Sequence, residues 1–180
     1  MIRKCAGIVL MGLALSTNAQ AEQPAPSAAE QAASPALKEI NALGEAAMQT
    51  GLQAIQESGG LYPFAIIGRT DGQTQLVGYQ GEPDQRPPPE EWGEAMFLRL
   101  RELAAEDDAI KMAALVRLHN VPAKEEGEPP VPGLWVLVDH RDERAWVLFL
   151  PFLPNKDTGK RTPGEVIYYA TDQPIFPAEE

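Results

Sequence analysis

The sequence is poor in the residues on which most catalytic and metal chemistry depends. It holds one cysteine, Cys5, and two histidines, His119 and His140. Cys5 lies in an N-terminal segment with the pattern of a secretory leader. Arg3 and Lys4 give a basic start, residues 6–15 an apolar run too short to cross a membrane, and Ala19-Gln20-Ala21 a small-x-small cleavage site. Cleavage after Ala21 is expected, which removes the thiol and with it disulfides, thiolate ligands and a cysteine nucleophile. The cysteine also precedes the apolar run, the wrong place for a lipoprotein signal. Serine is scarce as well. Ser27, Ser34 and Ser58 remain beyond the leader, none in a Gly-x-Ser-x-Gly turn. The histidines lack the short spacings of a zinc site, and Gly59-Gly60 has neither the motif nor the lysine of a phosphate loop. No metal and no cofactor are expected.

Positive charge is the next shortage. The formal charge is −11, and losing Arg3 and Lys4 takes it to −13. A chain this acidic repels nucleic acid and anionic lipid surfaces, while gaining solubility and attraction to basic partners. No second apolar run is long enough to insert the mature chain into a membrane. A periplasmic or secreted location is expected.

After the leader, residues 22–33 (EQPAPSAAEQAA) lack large apolar side chains and read as a flexible linker. About 145 residues remain from Ser34 onward, enough for one domain with one core. Ser34-Pro35 opens a helix as N-cap and first helical residue, and Ser58-Gly59-Gly60 closes it. Its stripe includes Leu37, Ile40, Met48, Leu52 and Ile55, with Gly44, Ala47 and Gly51 small enough to let a sheet approach closely. Strands at 63–69 and 74–79 meet around Asp71-Gly72. A proline-stiffened loop (81–89) precedes a second helix at 90–106, whose stripe is Trp92, Met96, Leu100, Leu103 and Ala104. A long strand spans 109–121, with Ile110, Met112, Ala114, Val116 and Leu118 on one face and Lys111, Ala113, Leu115, Arg117 and His119 on the other. The loop 122–132 carries Glu125, Glu126 and Glu128 without the Asp/Asn spacing of a calcium loop. A polar loop at 155–164, an aromatic strand at 165–171 and an apolar tail at 174–177 complete the chain.

Between these lies GLWVLVDHRDERAWVLFLPF (133–152), a hairpin with strands at 134–138 and 145–150 and a charged turn at 139–144. Both faces of both strands are apolar, which marks central strands covered on both sides. The element order α-β-β-α-β-β-β-β gives an α+β domain: an antiparallel sheet of five to six strands with two helices on one face. By element order alone it is analogous to the profilin, PAS and roadblock group. Something further must then cover the second sheet face: the tail, a ligand or a second protein.

The segments AALVRLHNV and LWVLVDHRDERAWVLFLPF with the closing IFP resemble small bacterial α+β proteins in which "ALV", "DHRD", "PF" and a terminal "IF" recur together. The likeness covers residues 109–177. It implies a fold and assigns no activity.

Ligand or interface candidates are Trp135, Trp146, Leu148 and Tyr168 on the apolar strands, and Arg117, His119 and His140 among the polar residues. Lys111, Arg117 and His119 share a strand face and could hold an anion. His140 with Asp139 or Asp142 has the composition of an acid–base site, although a solvated turn needs the same residues. The expected function is an exported, non-catalytic protein that binds a protein partner, or dimerises, through the second sheet face or the acidic loops. An immunity or inhibitor protein against a basic target is one version. A small-ligand sensor or carrier is an alternative, favoured by a pocket beside Trp135 or Trp146. An enzyme would need His119 and His140 to converge in one cleft.

Overall fold

Helix α1 (Pro35–Ser58) starts where the sequence places it: the Ser34 hydroxyl accepts the Leu37 N–H at 3.0 Å, and Pro35 fills the first turn. It ends at Gly59, whose φ of 75° suits glycine and whose N–H returns to the Ile55 carbonyl. In this computed structural model, residues 34–123, 127–155 and 160–176 are described. The expected leader and linker, together with Glu125 and Glu126 of the acidic loop, lie outside them. The described residues belong to one compact unit.

Among the described residues seven antiparallel strands follow: β1 (Phe64–Arg69), β2 (Thr74–Val77), β3 (Ile110–Val121), β4 (Val131–His140), β5 (Glu143–Pro154), β6 (Arg161–Pro163) and β7 (Ile167–Ala170). Helix α2 (Pro89–Glu106) separates β2 from β3. The sheet runs β2-β1-β3-β4-β5-β6, and β7 pairs with the same edge of β5 farther along that strand. The α+β class and the element order are as expected. The three-residue strand β6 falls inside the segment expected to be a polar loop.

The helices do not share a face. Ile40, Leu43, Ala47 and Met48 of α1 pack on Val116, Leu134, Val136, Val138, Leu148 and Leu150. Met96, Leu100 and Ala104 of α2 pack with Ala113, Leu115, Leu137, Val147, Ile175 and Phe176. Alternate residues of β4 therefore serve different cores, which is why both faces of the hairpin are apolar. The described residues make three layers, with α1 on one side of the sheet and α2 with tail residues Ile175 and Phe176 on the other. The small stripe on α1 acts as expected. A Cβ on Gly51 would sit 2.9 Å from a Leu134 methyl, and one on Gly44 3.0 Å from Leu148.

A register slip corrects the faces assigned to β3. Gly68 pairs with Met112 but Arg69 pairs with Ile110, so Lys111 is the extra residue of a β-bulge. Ile110 consequently joins the α2 core, and Lys111 turns to the α1 side, away from Arg117 and His119.

Candidate functional site

At the end of β4, three consecutive residues each fasten a different element. Asp139 is 1% exposed, and its carboxylate accepts the His140 N–H at 2.8 Å and the tail N–H groups of Ile175 at 2.5 Å and Phe176 at 2.8 Å. Burial pushes this carboxyl above its ordinary value, opposed by the three N–H donors and by His140. His140, 3% exposed, meets Glu39 of α1 through Nε2 at 3.0 Å. Its Nδ1 accepts the Asp142 N–H at 3.0 Å, so Nε2 carries the proton and donates to Glu39. Lys111, turned inward by the bulge, donates to the other Glu39 oxygen at 2.7 Å. The Lys111 hydrogen bond holds the Glu39 carboxyl below its ordinary value, with burial opposing and His140 assisting. Arg141 donates from Nη2 to the Ala104 carbonyl at 2.5 Å and the Asp107 carbonyl at 3.0 Å, from Nε to Ile110, and lies over the Phe176 ring. It closes the C-terminus of α2, where the helix dipole favours a cation.

The turn expected to be a solvated charged cluster is thus partly a buried clamp. His140 does not lie open to a ligand. Nor do the histidines converge: His119 pairs with Gly133 and His140 with Met112. Seven residues of strand, roughly 23 Å, separate them. Among the described residues, no group of three His, Cys, Asp or Glu side chains is placed to hold a metal ion. No described helix is long and apolar enough to cross a membrane.

The other candidates fall into two groups. Trp146, Leu148 and Tyr168 line a groove with Leu37, Ile40 and Asn41 of α1, of about 450 Å³. The Trp146 Nε1 is buried there without a hydrogen-bond partner, and Arg144 lies 5.6 Å from its ring centroid. On the opposite face, Arg117 and Trp135 are cross-strand partners, and the guanidinium lies 4.4 Å from the indole centroid. His119 stands 6.4 Å beyond, and the Trp135 Nε1–H donates to the Tyr169 hydroxyl at 3.1 Å. Trp135 also lines a cavity of about 300 Å³ beneath α2.

The second group sits where the α2-side face is incompletely covered. Helix α2 packs on β3 and β1. The tail covers the Asp139 end, with Ile175 and Phe176 beside Ala145 and Val147. At the far end Trp135 is half-buried, and on β7 Ile167, Tyr168 and Tyr169 are 51%, 62% and 40% exposed. Sequence reasoning singled out Tyr168 but not Ile167 or Tyr169, although their place beside Tyr168 in one apolar strand was the available signal. It also passed over Tyr62 and Tyr79, whose rings pack with that of Trp92 at 5.4–6.3 Å; Arg86 lies over the two tyrosines, and the Tyr62 hydroxyl donates to the Pro87 carbonyl of the proline loop.

No family model matches the sequence, and no curated protein and no solved structure is significantly similar to it.

Proposed function

We propose that this chain is an exported, non-catalytic protein-binding module that engages its partner through β7 and the adjoining sheet surface around Trp135. One observation carries the reading: three large apolar side chains in a row stand exposed on an edge strand that, among the described residues, pairs with β5 alone. Edge strands of solitary proteins are usually blunted by shortness, charge, proline or cover; β7 is short, at four residues, but holds no charged residue or proline. Its free backbone groups suit an added strand from the partner, with Tyr168 and the Trp146 groove on one face and Ile167 with Tyr169 on the other. The formal charge of −11 favours a basic partner over a second copy of the same acidic chain.

The reading is tested by native mass spectrometry of the protein purified from its own cells, beside Ile167→Lys and Tyr169→Glu. A stoichiometric second protein is expected with the parent, lost in both variants and weakened by salt. A parent that is monomeric throughout, or a partner retained by both variants, overturns it.

A further inference from the structure

Arg117 is half-buried between α2 and the sheet, and its Nε is closed to solvent without a hydrogen-bond partner. Among the described ion pairs none reaches it. Burial pushes its pKa down from the ordinary value, with Glu94 and Glu90 opposing at longer range. The guanidinium rests on Trp135 but, among the described residues, has no carboxylate within ion-pair distance, and a partly buried cation of this kind is normally satisfied by an anion. The surroundings show where that anion would sit. The guanidinium carbon lies 4.4 Å from the Trp135 ring centroid, and with Nε closed to solvent it is the terminal nitrogens that are left to meet a carboxylate. Arg117 lines the cavity of about 300 Å³, whose walls are chiefly Phe97, Leu98, Leu115, Trp135 and Leu137. That volume lies at the lower end of the small-ligand range.

We propose that this cavity binds an amphipathic monocarboxylate, with the carboxylate on Arg117 and the apolar body against Phe97, Leu115 and Trp135. The anion is a monoanion because Arg117 is the single cation lining the cavity among the described residues, with the Glu94 carboxylate on the same wall. A phosphate dianion would meet Glu94 and the surplus negative charge of the chain with only one countercharge. The carboxylate belongs either to a free small acid or to the C-terminus of a protein ending in an apolar residue. The chemistry at Arg117 is the same for both.

Calorimetry with phenylacetate and its neutral isostere phenylacetamide tests the proposal, alongside a short peptide ending in phenylalanine with a free or an amidated C-terminus. At least one acid is expected to bind, with its amide weaker by about tenfold or more. Phenylacetate alone identifies a free acid, and tighter binding of the acid peptide identifies a protein C-terminus. Arg117→Gln should lower acid affinity by the same factor, and Glu94→Gln should raise it by removing a competing charge. Leu98→Trp at the exposed rim should block entry without touching the guanidinium, so the result stands even if Arg117→Gln fails to fold. Ile167→Lys should leave binding of phenylacetate unchanged, which separates this site from the β7 surface. Equal affinity for acid and amide, unaltered binding in Arg117→Gln, or no binding of either acid at millimolar concentration overturns the proposal.

Discussion

Replacing Asp139 with alanine should release the C-terminal tail before the rest of the domain unfolds. The tail is held by two means: burial of Ile175 and Phe176, 0% and 7% exposed, and the two N–H groups that both residues give to one carboxylate oxygen. Burying two such side chains contributes about 3–6 kcal/mol in total. Fixing the backbone of the six residues 171–176 costs about 1–2 kcal/mol each, so burial alone does not hold the segment. Hydrogen bonds to a charged acceptor contribute about 1.5–3 kcal/mol apiece, and losing two removes about 3–6 kcal/mol. The lower figure corresponds to a fall in melting temperature of roughly 6–12 °C for a domain of this size. The assay is hydrogen exchange of the Ile175 and Phe176 amides beside calorimetry. Both amides should lose protection while β3 and β4 keep theirs. Asp139→Asn retains one acceptor oxygen and should cost less, because only one of its two sides can still receive N–H donors. If Asp139→Ala melts within a degree or two of the parent and both amides stay protected, the clamp is not what holds the tail.

The folded-state pKa of Glu39 lies below its ordinary 4.5, so its contribution is present above pH 4.5 and is lost as pH falls through the folded value. Glu39→Gln should lower the melting temperature at pH 7 and flatten its fall below about pH 4.5, and an unchanged acid limb would refute this. Asp139 is shifted the other way, so its contribution declines as pH rises from its ordinary 3.8 and it does not account for acid instability. Trp146→Phe should cost under about 1 kcal/mol in urea unfolding, because the indole N–H it removes has no partner. Trp146→Asp should cost about 2–4 kcal/mol by placing a carboxylate against the α1 core; equal costs for the two would show that the indole is not packed there.

Much of the fold was legible in local chemistry. Ser34-Pro35 and Ser58-Gly59 bound α1 because an N-cap hydroxyl and a left-handed glycine act within a single turn. Asp71-Gly72 placed the first hairpin in the same way, with Gly72 at φ 83°. The apolar alternation of the central hairpin showed that both faces must be covered, and Gly44 and Gly51 showed that a helix could come close. Which helix covers which face was not legible, since an apolar stripe is equally content on either side of a sheet.

By itself, then, the sequence determined the element types, their order and the two-sided burial of 134–138 and 145–150, because these follow from period and capping within a few residues. Tertiary structure decided the rest. The bulge at Lys111 is visible only in the pairing of β3 with β1, and it alone turns that lysine to Glu39 and away from Arg117. Asp139-His140-Arg141 has the composition of a solvated turn, and becomes a clamp because the first turns of α1, the last turn of α2 and residues 175–176 of the tail all lie beside it. Arg117 and the exposed row on β7 took their meaning from what α2 and the tail leave uncovered. Coverage is a relation between segments far apart in sequence, and no local pattern encodes it.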